Sequence, residues 1–194
     1  MKQILILIFV VSILSSCVEN KRKNIQFESE QQTELKIAEV EKKKDTISNY
    51  WELIFDTITD QKEFKILNKN YELKLKTFSL NDSLIIRNLS QGESQIHLDH
   101  SHTMVTEFRL LTDSIVDRKR IDRTDFEKSL IPEFYRECNL FSTKIDSIVG
   151  NSIHLISELA VPDTDNQWRI WYSIKVNNNR LGNLEIKETN YIGL

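Results

Sequence analysis

The chain is short of most residues that announce a specialised architecture. It has two cysteines in 194 residues, which excludes a disulfide-dense scaffold. Two prolines and four glycines exclude collagen and Pro/Gly-rich linker proteins. No basic excess is present: 26 lysines and arginines stand against 29 aspartates and glutamates, a formal net charge of −3. A dedicated nucleic-acid binder carries the opposite balance, so no nucleic-acid partner is expected. Hydrophobic residues make up 40% and charged residues 28%, too polar for a multi-span membrane protein. Catalytic signatures are missing as well. There is no Gly-x-Ser-x-Gly elbow, Gly-rich phosphate loop or paired-cysteine redox motif, and no spacing that names a triad. The chain therefore reads as a non-enzyme without a cofactor, with a hydrolase assembled from distant residues as one alternative.

What is present is concentrated at the N-terminus. Lys2 is followed by an almost unbroken apolar run from Ile4 to Val11. A positive start, a short apolar core and small residues after it are the layout of a secretory signal. The run is about half of the roughly 20 residues a spanning helix needs. Leu14-Ser15-Ser16-Cys17 resembles the lipobox of bacterial lipoproteins. That resemblance implies removal of residues 1–16, a diacylglyceryl group on the Cys17 thiol and a fatty acyl chain, such as palmitate, on the new amino terminus. Two or three chains make such attachment effectively permanent, so the membrane becomes a partner through covalent lipid.

The mature chain would have 194 − 16 = 178 residues and a side-chain charge of 25 − 29 = −4. By the same resemblance, Val18 in place of an aspartate implies the outer membrane of a Gram-negative envelope. Val18-Glu19-Asn20-Lys21-Arg22-Lys23 is basic on balance and favours the periplasmic face, where the basic triplet can sit against anionic head groups. Cys138 is then the remaining thiol, expected as a small buried apolar residue.

Residues 17–45 are dense in charge and poor in large apolar side chains, the composition of a solvated tether. Residues 46–194 are expected to form a single α+β domain, predominantly antiparallel β-sheet with one or two short helices. Tyr71, Leu73 and Leu75 alternate with Glu72, Lys74 and Lys76, the pattern of a half-buried strand from Tyr71 to Leu80. Strands are also expected at Phe64–Leu67, Ser83–Arg87, Thr106–Leu111 and Ser114–Ile121. Two hairpins follow, Phe141–Val149 with Ser152–Val161 across Gly150-Asn151, and Trp168–Val176 with Leu181–Thr189 across Asn177 to Arg180. Thr124–Cys138 reads as a helix with a Thr124-x-x-Glu127 capping box, kinked or split at Pro132. Ile47–Ile58 fits a helix or a strand equally well.

Three clusters carry candidate chemistry. His97-Leu98-Asp99-His100-Ser101-His102 holds three of the four histidines. On a strand His100 and His102 share a face and can both reach one metal ion; a hydrogen-bonded strand is the plainer reading. Asp163-Thr164-Asp165-Asn166 starts like a calcium loop but lacks its glycine and closing glutamate, so it reads as a turn. Asp117 to Arg123 is a basic run interleaved with aspartates, able to touch phosphates or anionic glycans, and otherwise a solvated strand.

Five tripeptides of the form Asp-Ser/Thr-aliphatic place Thr46, Thr57, Ser83, Ser114 and Ser147 as acceptors. They resemble the O-glycosylation motif of exported Gram-negative proteins; turn and cap formation also explains them. Lys74 to Ser83, Phe126 to Leu130 and Val161 to Asp165 resemble small envelope lipoproteins without an assigned activity. The expected function is a lipid-anchored, non-catalytic module that binds an envelope protein or a glycan, with metal binding through His100 and His102 as the other alternative.

Overall fold

Alternation of apolar and polar residues at period two dominates the domain, and the structure is correspondingly built of strands. A computed structural model describes residues 45–92, 95–113 and 116–193. Residues 1–44, with the lipobox-like segment, Cys17 and most of the expected tether, and Ser114 lie outside them. The described residues belong to one unit, Lys42–Leu194.

Eleven strands are present among the described residues: β1 (Thr46–Tyr50), β2 (Thr57–Ile66), β3 (Lys69–Ser79), β4 (Ile85–Asn88), β5 (Ile96–Ser101), β6 (Met104–Leu111), β7 (Val116–Ile121), β8 (Asn139–Val149), β9 (Ser152–Ala160), β10 (Gln167–Asn177) and β11 (Arg180–Tyr191). They form three sheets. Two are four-stranded and wholly antiparallel, in the orders β2-β3-β6-β7 and β11-β10-β9-β8; the third is β1-β5-β4, with β1 parallel to β5. The domain is thus mostly antiparallel β with little helix.

The inward phase of each large sheet builds a shared core. Tyr71, Leu73, Leu75, Phe108, Leu110 and Ile121 come from the first sheet; Leu140, Ile153, Leu155, Leu159, Ile170, Tyr172, Ile174 and Val176 come from the second. Burying each large apolar side chain contributes about 1.5–3 kcal/mol, which sets the register of every strand, because a one-residue slip would turn that set to water. The two hairpin turns behave as their residues dictate. Asn178 and Asn179 both adopt positive φ, at 50° and 62°, the conformation of a type I′ turn that asparagine tolerates. Gly150, at φ 60°, opens the other.

Two segments that the sequence left open are decided by the structure. The segment Ile47–Ile58 is not a helix: it is β1, an irregular stretch 51–56, and the start of β2. Thr124–Cys138 is split into a 3-10 turn, Arg123–Ser129, and a six-residue helix α1, Pro132–Glu137. Proline fits the first turn of α1, where its missing N–H is no loss. The capping box starts two residues earlier than the sequence suggested. Asp122 accepts from Thr124 N–H, and the Asp125 side chain accepts from Asp122 N–H. Arg123 Nη1 donates to the carbonyls of Tyr135, Arg136 and Cys138 at 3.0–3.3 Å, capping the end of α1. Cys138 is buried, as expected, and burial pushes its thiol up to about 12 despite the opposing charge of Arg123.

Candidate functional site

Several residues in the inward phase of their strands are polar, and they gather at one side of the core. The first group is a buried rung of the three-stranded sheet. Register places Asn49 opposite Asp99, and Asp99 opposite Arg87. Arg87 and Asp99 are each 4% exposed. Asp99 accepts from Arg87 Nη2 at 2.5 Å, from Asn49 Nδ2 at 2.8 Å and from the Trp51 indole N–H at 3.0–3.1 Å. Burial acts to raise the Asp99 pKa. The bonds from Arg87, Asn49 and Trp51, with the Arg87 charge, outweigh it and hold the carboxyl below the usual aspartate value. Arg87 Nη1 donates onward to the Pro162 carbonyl at 2.6 Å, so the pair ties this sheet to the turn after β9.

The second group holds the irregular stretch 51–56, which has no ladder of its own. Trp51 N–H donates to His100 O. The Asn81 carboxamide brackets Ile54, accepting from its N–H at 2.9 Å and donating to its carbonyl at 3.1 Å. His102 Nδ1 accepts from Ser83 N–H at 3.1 Å, and Nε2 faces the Glu52 carbonyl at 3.1 Å. A carbonyl only accepts, so Nε2 carries the proton and the ring is neutral. Asn139 completes the frame: its Nδ2 donates to His102 O, and its Oδ1 accepts from Met104 N–H and Leu140 N–H.

The third group crosses the core. Thr77 on β3 bonds Thr106 on β6 at 2.7 Å, and Thr106 donates to Thr143 on β8 at 3.0 Å. Thr143 bonds Ser157 on β9 at 2.9 Å, which bonds the Tyr172 hydroxyl on β10 at 3.0 Å. All five side chains are buried. The row joins the two large sheets through hydroxyls alone, and its burial raises the Tyr172 pKa above the ordinary phenol value.

Trp51, Ile54, Thr77, His102, Asn139 and Pro162 from these groups line an open cavity of about 440 Å³, inside the range of about 300–1,000 Å³ usual for small-molecule sites. Trp51, Ile54, Ile58, Met104, Leu140, Phe141, Val161 and Pro162 supply apolar wall; Thr77, Ser101, His102, Asn139, Thr164 and Gln167 supply polar wall. Ser101 is 2% exposed and its hydroxyl has no hydrogen-bond partner. Phe141, 61% exposed, stands at the mouth, as do the exposed Asp56 and Asp163.

No protein-family model matches the chain, and no curated protein matches it either.

The sequence candidates separate. His100 stacks on Tyr50, with ring centroids 4.4 Å apart, whereas His102 lies beyond the end of β5 with both nitrogens engaged inside the protein. The expected shared face is therefore replaced by two different environments, and it is Asp99 and Ser101 of that strand that turn inward. Among the described residues no three His, Cys, Asp or Glu side chains are grouped to hold a metal ion. Asp163 to Asn166 is a turn, closed by Val161 N–H to Asn166 O and Thr164 N–H to Val161 O. In β7, Arg118 and Arg120 point outward, while Asp117 accepts from Leu181 N–H and Lys119 donates to Gly182 O. Thr46 and Thr57 are exposed at strand starts; Ser147 donates to Asp146; Ser83 packs beside His102. What the sequence reading missed was the set Thr77, Thr106, Thr143, Ser157, Arg87, Asp99 and Ser101. Part of its signal was there: Thr77, Thr106 and Ser157 are polar residues in the phase that apolar alternation assigns to the core, whereas Asp99 and Ser101 lie in the phase opposite Ile96 and Leu98, and Thr143 follows a bulge.

Proposed function

We propose that the chain is a lipid-anchored lipoprotein of the bacterial envelope, held at the periplasmic face of the outer membrane through Cys17, whose domain is a non-catalytic binding module. The cavity is the binding site. The observation that carries this reading is the unpartnered hydroxyl of Ser101, 2% exposed, in the wall of a mostly apolar void. A buried polar group without a partner costs about 1–3 kcal/mol, and a ligand group reaching Ser101 would remove that cost. Support for a non-catalytic role comes from how the ionisable groups are occupied. Arg87 and Asp99 neutralise each other, and His102 has no free nitrogen to act as base. The anchor rests on the likeness of Leu14-Ser15-Ser16-Cys17 to a lipobox.

The test is made on the full chain in a Gram-negative host. Cys17→Ala is expected to leave the membrane fraction and to lose acyl labelling; retention of both would overturn the anchor. A photoreactive side chain at position 141, at the cavity mouth, is expected to capture a specific adduct. The same group at position 67, on the exposed β2–β3 turn, is expected to capture none. Equal labelling at both positions, or none at either, would overturn the binding reading.

A further inference from the structure

We infer that the cavity takes an uncharged amphiphile, an acyl or aryl chain bearing a hydroxyl or amide group. The inference rests on the reading of the cavity as a binding site and adds the chemistry of its occupant. Three observations converge on it.

The first is the wall. Ile54, Ile58, Met104, Leu140 and Val161 offer a surface that only an apolar body covers without stranding polar groups. The second is the hydrogen-bonding capacity of the polar patch. Ser101 Oγ has no partner at all. Thr106 donates its single hydroxyl proton to Thr143, so in the 2.7 Å contact between Thr77 and Thr106 it is Thr77 that donates. Thr77 therefore has only lone pairs left. A group complementary to this pair must donate to Thr77 and also satisfy Ser101, which a hydroxyl or an amide does and an ether or ester alone does not. His102 adds no further capacity, because its ring nitrogens are bound to Ser83 and Glu52. Asn139 keeps the second N–H of its amide and the Gln167 carboxamide also lines the cavity, so an occupant's hydroxyl or carbonyl oxygen finds donors as well.

The third observation is charge. No lysine or arginine lines the cavity, and the carboxylates that do, Asp56 and Asp163, are exposed at its mouth. The guanidinium of Arg87 is already held by Asp99 and the Pro162 carbonyl. A fatty-acid carboxylate or a phosphate would pass two negative charges and then find no cation, with its own charge desolvated. An ammonium group is attracted at the mouth but meets no counter-charge at Ser101 and Thr77. A neutral head group avoids both penalties.

The experiment uses the full chain carrying Cys17→Ala, so that its own acyl chains do not compete. Three probes of equal chain length, 1-decanoylglycerol, decanoate and decylamine, are titrated below micelle-forming concentration. Binding is read by calorimetry and by the emission of Trp51, which lines the cavity. The expected result is at least ten-fold tighter binding of 1-decanoylglycerol than of either charged probe. Ser101→Ala and Thr77→Val are each expected to weaken that binding roughly ten-fold while changing decanoate binding little. Ala160→Trp, which fills the cavity from its wall, is expected to abolish binding of all three. Equal or tighter binding of decanoate or decylamine, sensitive to Ala160→Trp, would overturn the ligand class and leave the cavity as a site. No binding of any probe, or binding that Ala160→Trp leaves unchanged, would overturn both. Because Ser101→Ala removes a hydroxyl that bonds nothing, it is expected to fold, and it keeps the test open should Ala160→Trp not fold.

Discussion

Replacing Asp99 with asparagine removes one charge from a deeply buried ion pair and leaves the side chain's shape unchanged. In the native protein the Asp99 carboxylate takes the Arg87 guanidinium at 2.5 Å, Asn49 at 2.8 Å and the Trp51 indole at 3.0–3.1 Å. An asparagine can keep one acceptor oxygen for two of these donors, but its NH₂ then opposes a third, and Arg87 becomes an uncompensated buried cation. Breaking a buried pair on one side costs about 3–5 kcal/mol, a large part of the roughly 5–15 kcal/mol that holds an ordinary domain. At about 2–4 °C per kcal/mol for a domain of this size, the melting temperature should fall by about 6–20 °C. Arg87→Met combined with Asp99→Leu should recover most of the loss, because an apolar pair of similar volume replaces a buried ion pair at little cost.

The pH dependence gives the same reasoning a second edge. The folded Asp99 pKa lies below its unfolded value, so its contribution is complete above the ordinary aspartate pKa of about 3.9. It is lost as pH falls from there through the lower folded value. Urea unfolding followed by tryptophan emission, from pH 7 down to pH 3, should show wild type losing stability toward the acid end. The gap to Asp99→Asn should narrow as it does so. Asp82, also held below its ordinary value against burial by bonds from Thr103 and Leu84, remains in both proteins and adds a common acid sensitivity. A loss under about 1 kcal/mol at pH 7 for Asp99→Asn, or a gap independent of pH, would refute the argument.

Two further substitutions probe other parts of the frame. Thr143→Val keeps the side-chain shape but cuts the hydroxyl row in its middle, leaving Thr106 without an acceptor and Ser157 short of a partner. A cost of about 1–3 kcal/mol is expected in denaturant titrations, and a neutral result would show that the row contributes nothing to stability. Leu67 has φ 55° at the β2–β3 turn and is 94% exposed, so its side chain packs nothing to offset the backbone strain. Leu67→Gly should therefore raise stability by about 1 kcal/mol, and a lower melting temperature would contradict that account.

The large sheets were legible because their strands obey one rule. Tyr71, Leu73 and Leu75 alternate with charged residues, Ile153, Leu155 and Leu159 share one phase of β9, and the runs are bounded by Asn81 after β3 and Gly150 before β9, turn residues at positive φ. The pairing of the three-stranded sheet was not legible, although β4 and β5 fall on expected strands, and the reason is physical. β1 is parallel to β5 across an intervening stretch of chain, it is exposed along its whole length, and local alternation says nothing about a partner that far away. The irregular stretch 51–56 followed from side-chain to backbone bonds with Asn81 and His102, which no periodicity encodes. In the histidine cluster, attention to residue type obscured the phase. Asp99 and Ser101 occupy the inward positions of β5, while the metal-capable side chains stand elsewhere.

Polar residues in core phase are costly wherever they occur, so their distribution is informative. A domain selected for stability alone would replace Arg87 and Asp99 with aliphatic residues, and would fill the space beside Ser101 and Thr77 with methyl groups. Here the replacements are absent on the side of the core where the cavity lies. Thr77 and Ser101 line it, Asn139 and His102 line it, and Arg87 holds the carbonyl of Pro162, which also lines it. From Thr77 the hydroxyl row carries polarity through Thr106, Thr143 and Ser157, across a core packed by apolar side chains such as Leu73, Phe108, Ile170 and Ile174. Buried polar groups at the boundary of a void, tied to a row of hydroxyls behind it, are the arrangement expected when the void must present hydrogen-bonding groups at fixed positions to something that enters it. The hydroxyl row gives those positions rigidity, since Thr77 cannot turn without breaking a chain that reaches Tyr172 on the opposite sheet.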